Sequence, residues 1–121
     1  MERDPLRDVV DAPLFIVPRV LDALRAYRAA PKLARLGHGA PEEAGRLRAA
    51  FDALADCLLA GIEGHPSTFW VMKQCQATLQ LAAGASEDAR RQCGAECRRL
   101  LAPLGIREAD TDAVLYFYLG D

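Results

Sequence analysis

Lysine is nearly missing from this chain: of 121 residues only Lys32 and Lys73 are lysine, against 13 arginines. That bias, with abundant Ala and Leu, points to a GC-rich bacterial coding sequence. Aromatic residues make up 7%, and no basic tract interleaved with them appears, which argues against nucleic-acid recognition. No apolar run approaches the roughly 20 residues needed to span a bilayer. The charged start Met1-Glu2-Arg3-Asp4-Pro5 and the prolines Pro13 and Pro18 do not fit a secretory leader, so the cytoplasm is the expected compartment. Strand-like alternation, internal repeats and low-complexity tracts are absent as well. So are the GxSxG, HExxH, P-loop and dinucleotide motifs. No nucleophile, base and charge stabiliser can be assembled, and the chain is expected not to be an enzyme.

What is present is a globular composition, 51% hydrophobic and 26% charged, with a net charge of −2 from 15 basic and 17 acidic residues. The length suits one domain with a sizeable core. Residues 1–16 read as a short extended or irregular arm, with Leu14-Phe15-Ile16-Val17 its sticky piece, and 17–121 as a single helical domain. Val17, Val20, Leu24 and Tyr27 recur at helical spacing from Pro18 to about Ala30. Gly37-His38-Gly39-Ala40-Pro41 is a loop. From Glu42 to about Ile62 the stripe Leu47, Phe51, Leu54, Leu58 and Ile62 predicts the strongest helix. Ser67 and Ser86 are N-caps for two further helices. The first runs to about Ala83. The second presents Ala89, Cys93, Cys97, Leu100 and Leu104 inward and stops at Pro103 and Gly105. A fifth helix from about Thr111 to Leu119 is expected to turn Val114, Phe117 and Tyr118 inward. The fold class is all-α, a compact bundle of four to five helices.

On the third helix Met72, Cys75, Leu79 and Ala82 share one side, while Trp70, Ala77 and Leu81 lie nearly opposite among Lys73, Gln74 and Gln80. Either this helix is central and buried on both sides, or Trp70 is an exposed anchor for a partner. Helix two carries Asp52, Asp56 and Glu63 away from its core stripe, with Arg48 placed to pair with Asp52. This is either a solvated acidic face or a patch for a basic partner. Arg90, Arg91, Arg98 and Arg99 on helix four suit salt bridges between helices or solvation better than a phosphate grip.

Cys57, Cys75, Cys93 and Cys97 sit on or beside apolar stripes and read as reduced, buried thiols. A zinc site from Cys75, Cys93 and Cys97 with Cys57 is the alternative, and no metal or cofactor is expected. His38 and His65 lie in loops, and Ser67 beside His65 is explained by capping.

The stretch Pro66-Ser67-Thr68-Phe69-Trp70-Val71-Met72-Lys73-Gln74-Cys75-Gln76 resembles the P-S-x-F-W-V-M-K-Q-x-Q core of a little-characterised family of small bacterial helical proteins. Gly61-Ile62 fit the helix end that precedes that motif there. Leu104-Gly105-Ile106 and Leu115-Tyr116-Phe117-Tyr118-Leu119-Gly120 resemble its closing segment. Cys75 stands where such proteins often carry an aromatic residue. The resemblance covers roughly residues 47–120 and implies a helical fold and a bacterial source rather than an activity. The expected function is a non-enzymatic interaction protein, of the immunity or antitoxin kind, that binds another protein such as a toxin or effector. It is expected to bind neither nucleic acid nor membrane. Trp70, Lys73, Gln74, Asp52, Asp56 and Glu63 are the candidate contact residues. The alternatives are a small-ligand or metal pocket near Cys75, Cys93 and Cys97, and a self-associating structural module.

Overall fold

In a computed structural model that describes residues 4–36 and 41–120, five α-helices follow one another and no strand occurs among the described residues. They are α1 (Pro18–Ala29), α2 (Pro41–Gly61), α3 (Thr68–Ala83), α4 (Glu87–Leu101) and α5 (Glu108–Leu119), with a 3-10 turn, Ala102–Leu104, after α4. The loop histidine His38 lies outside the described residues.

Each helix starts and stops for local reasons. Pro18 occupies the first turn of α1, where its missing N–H is not needed. Glu42 and Glu43 stand in the first turn of α2, where a carboxylate meets the positive end of the helix dipole. Ser67 accepts from the Trp70 amide at 3.2 Å and Ser86 from the Ala89 amide at 3.3 Å, the side-chain-to-amide bond of an N-cap. Gly105 and Gly120 stop the 3-10 turn and α5 at φ of 76° and 80°, a left-handed conformation that costs glycine little.

The core stripe of α2 is buried as the periodicity predicts, from Leu47 through Phe51, Leu54 and Leu58 to Ile62 just beyond the helix. The α4 stripe of Ala89, Cys93, Cys97, Leu100 and Leu104 is buried as well. Central in the bundle, α3 packs against α2, α4 and α5. It therefore buries a broad arc, Val71, Met72, Cys75, Thr78, Leu79 and Ala82, yet leaves Lys73, Ala77, Gln80 and Leu81 outside.

Two parts of the expected core differ. Val17 is 44% exposed, because it is the extended N-cap of α1, at φ −94° and ψ 163°, and follows the two-residue alternation of the arm. Helix α5 begins three residues earlier than expected, at Glu108, and buries Asp110, Thr111, Val114, Leu115 and Leu119. Phe117 and Tyr118 are only half-buried and meet edge to face, 5.0 Å apart at 76°. Packing on both α3 and α4 turns α5 away from the single face that one apolar stripe suggests.

The arm is docked rather than loose over its described part. Leu6, Val9 and Leu14 are buried while Phe15 is 82% exposed. Burial of each such side chain stabilises by about 1.5–3 kcal/mol, against about 1–2 kcal/mol per residue for ordering backbone. Hydrogen bonds supply the rest. The Leu14 amide donates to Pro66 O at 2.7 Å and the Thr68 amide to Ala12 O at 2.9 Å, which makes Pro13 and Ser67 an isolated antiparallel bridge. The Thr68 hydroxyl also bonds Ala12 O, and the Phe69 amide donates to Asp11 Oδ1 at 3.1 Å. With the Trp70 amide on Ser67 Oγ and the Val71 amide on Ser67 O, the first four amides of α3 are all satisfied. One residue before Asp11, the Val10 amide donates to Asp110 Oδ1 at 3.2 Å.

Candidate functional site

The six residues singled out from the sequence fall into separate places. Trp70, Lys73 and Gln74 share the outer face of α3, with Trp70 half-buried and Lys73 exposed. The Trp70 ring is held in place by its neighbours. A Cβ on Gly61 would lie 2.5 Å from Cζ2 and 2.8 Å from Cη2, so only a glycine there admits the indole. His65 stacks on the ring, with centroids 5.4 Å apart and planes at 15°. Gln74 accepts from the Cys57 thiol at 3.0 Å. Farther along the same helix Leu81 is 42% exposed. Glu63 is exposed in the turn after α2.

Asp52 and Asp56 face α1 instead. Arg28 reaches Asp56 at 2.8 Å and Asp52 at 3.5 Å, and Lys32 reaches Asp52 at 2.7 Å. Arg48 does not pair with Asp52, contrary to the expectation from spacing. Its guanidinium instead bonds the carbonyls of Lys32, Leu33 and Leu36 at 3.0–3.1 Å. Those carbonyls belong to a turn with Leu33 at φ 53°, and the planar fork of arginine can satisfy several of them at once.

Around this turn lies a buried polar cluster that sequence reasoning missed. Lys32 is buried and donates to Arg28 O and Ala30 O, each at 2.9 Å, capping the C-terminal carbonyls of α1. A cation just past a helix end was the available signal. Buried Glu96 accepts from the Leu33 amide at 3.1 Å and pairs with Arg99 at 2.7 Å. The Tyr27 ring carries Lys32 Nζ 4.8 Å and Arg99 Cζ 5.4 Å from its centroid. Its hydroxyl has no hydrogen-bond partner within bonding geometry. Burial, and then the charge of Glu96, push the phenol well above its ordinary value.

An open cleft lies between α4 and α5. Gly94 packs towards Leu119, and Arg98 forms an ion pair with Asp112, so the two helices run antiparallel. The cleft between them encloses about 600 Å³, with Gly94, Ala95, Leu115 and Leu119 below and Glu87, Arg90, Arg91 and Arg98 around it. Arg90 is steadied by a bond to Ala85 O at 3.1 Å. Arg91 is exposed and makes no hydrogen bond or ion pair among the described residues. Tyr116, on the same helix as Leu115 and Leu119, is 64% exposed. A smaller cleft of about 350 Å³, on the other flank of Ala95, adds Arg35 and Arg99.

The thiols lie elsewhere. Cys75, Cys93 and Cys97 are buried and Cys57 is exposed. The neighbouring Cys97 thiol, together with burial, raises Cys75 well above the usual thiol range. Burial and the Glu96 charge push Cys93 up to about 12. No cysteine lines either cleft described here. Among the described residues no three His, Cys, Asp or Glu side chains are placed to hold a metal ion, and no helix is long and apolar enough to cross a membrane. Compared with known protein families, with curated proteins and with solved structures, the chain matches none.

Proposed function

We propose that this chain is a non-enzymatic, cytoplasmic interaction protein of bacterial origin, of the immunity or antitoxin kind, which binds another protein through the face built by α4 and α5. One observation carries this reading: an arginine-rimmed cleft of about 600 Å³ with an apolar floor, one wall of which, α5, also carries an exposed tyrosine. Tyr and Arg are enriched where protein interfaces concentrate their energy. The test compares capture of a protein partner from the native lysate by the wild type and by folded variants. Stoichiometric capture lost in Gly94→Leu and Tyr116→Ala supports the reading. Equal capture by both variants refutes it.

A second reading rests on the outer face of α3. Its half-exposed Trp70 is preorganised by Gly61 and His65, which lowers the ordering cost of an anchor. Lys73, Gln74 and Glu63 are its neighbours in this reading. Loss of capture in Trp70→Ala, with the cleft variants unaffected, moves the interface there.

A further inference from the structure

We propose that the α4–α5 cleft is a groove for an acidic amphipathic helix of the partner protein, an inference that rests on the protein-binding reading above.

The shape of the groove argues for a helix. Its α4 wall runs from Glu87 to Arg98, 12 residues whose Cα atoms span roughly 16 Å and three helical turns. A furrow between two antiparallel helices is the standard seat for a third, which lays an apolar stripe along the floor. Gly94 lies in the middle of this wall. Glycine inside a helix costs about 0.5–1 kcal/mol relative to alanine. Yet a Cβ there would meet Leu119 Cδ1 at 3.6 Å, an ordinary contact, so packing within the bundle does not require the glycine. Its effect is to lower the floor to backbone depth, where an incoming side chain can rest.

Charge argues for an acidic occupant. The protein as a whole carries −2, but the rim sets Arg90, Arg91 and Arg98 against Glu87 and against Asp112, which is paired to Arg98, and so stays net positive. Arg91 and Arg98 are seven residues, two turns, apart on one helix, with Gly94 between them. A carboxylate on a docked helix meets the unpaired Arg91, which can grip it through two parallel bonds, and a second carboxylate two turns on shares Arg98 with Asp112. A phosphate chain would engage the arginines but has nothing to place against Gly94, Ala95 and Leu119.

The test titrates the isotope-labelled full-length chain with three synthetic peptides of about 14 residues, a length that covers three to four turns. One carries a leucine stripe with Glu on the opposite face, one has Lys in place of each Glu, and one scrambles the first. The Glu peptide is expected to shift amides of α4 and α5 only. Its binding should weaken by about tenfold, the equivalent of 1.4 kcal/mol, in Arg91→Glu and in Gly94→Leu, and it should weaken with added salt. Gly94→Ala serves as a folded control. Absence of binding, equal binding of the Lys or scrambled peptide, or shifts around Trp70 overturn the proposal. So does displacement of the peptide by equimolar phosphate or duplex DNA. Failure of the parent reading looks different. A partner lost in Gly94→Leu but indifferent to Arg91→Glu and to salt leaves the cleft as the interface and removes only the acidic helix.

Discussion

Replacing Gly61 by alanine tests whether the Trp70 ring truly occupies the space that a methyl group would need. The new Cβ falls 2.5 Å from Cζ2 and 2.8 Å from Cη2, about 0.7–1.5 Å inside the 3.5–4.0 Å separation of carbon atoms in contact. The obstacle is the edge of a rigid bicyclic ring, already stacked on His65, so the ring must move as a whole. Overpacking of this sort costs about 1–3 kcal/mol. Alanine recovers part of that, up to about 1 kcal/mol, through its better helix propensity, and less here because Gly61 is the last residue of α2. The net expectation is destabilisation by about 1–2 kcal/mol, enough to lower Tm by several degrees.

The assay is urea denaturation followed by tryptophan emission, which reports on this ring alone because the chain has a single tryptophan. Native emission of Gly61→Ala should shift as the ring is displaced. Gly45→Ala is the matched control, also in α2 but with nothing within 4 Å of its added Cβ, and it should stabilise by up to about 1 kcal/mol. In a Trp70→Leu background, followed by circular dichroism, Gly61→Ala should lose its penalty. If Gly61→Ala behaves like Gly45→Ala with unchanged emission, the ring is not where the geometry puts it.

Other consequences are independent of that contact. Asp110→Asn removes a carboxylate that Arg107 bonds twice at 3.0 Å and that receives the Val10 amide, and should cost about 1.5–3 kcal/mol in chemical denaturation. The bonds from Arg107 hold the Asp110 carboxyl below its ordinary value. Its contribution is therefore complete above the unfolded value, near 3.9, and lost as pH falls through the lower folded one. Hydrogen exchange at Val10 should accelerate in that acid window, and unchanged protection would separate the arm from Asp110. A disulfide reagent at pH 8 should modify Cys57 rapidly and the three buried thiols only on unfolding; rapid reaction of Cys93, whose thiol is held near 12, would contradict its burial. Lys32→Met strips the cap from α1 and leaves Asp52 to Arg28 alone, for an expected loss of about 2–4 kcal/mol; a change under 1 kcal/mol in urea denaturation would show the cluster to be dispensable.

The helices and most of the core are readable from the chain because their causes are local. Ser67 and Ser86 announce two helix starts, and the spacing of Leu47, Phe51, Leu54, Leu58 and Ile62 defines a buried face without reference to anything else. What cannot be read is set by partners distant in sequence. Asp52 looks like Arg48's mate at four residues' separation, but Arg28 on α1 and Lys32 in the turn after it reach it first. Phe117 looks inward on a helical wheel, yet α5 is turned by packing on two helices at once. The outward direction of Arg91 and Arg98 is legible; that Asp112 stands beside Arg98 and a floor of Leu115 and Leu119 lies below them is not. Gly94, in the interior of α4, is a further mark of the cleft that the chain displays.

The bond from the Val10 amide to Asp110 joins residues 100 apart in sequence, and Asp11 reaches Phe69 across 58. Val10 and Asp11 thus close the chain into a ring that runs from the arm through α3 to the start of the last helix. Loops of that size are entropically costly to close early, so these links should form after the helices have docked. Once formed, they make the two ends of the protein one cooperative unit. Loosening the arm releases the first turn of α5, and loosening α5 releases the arm and exposes the amides at the start of α3.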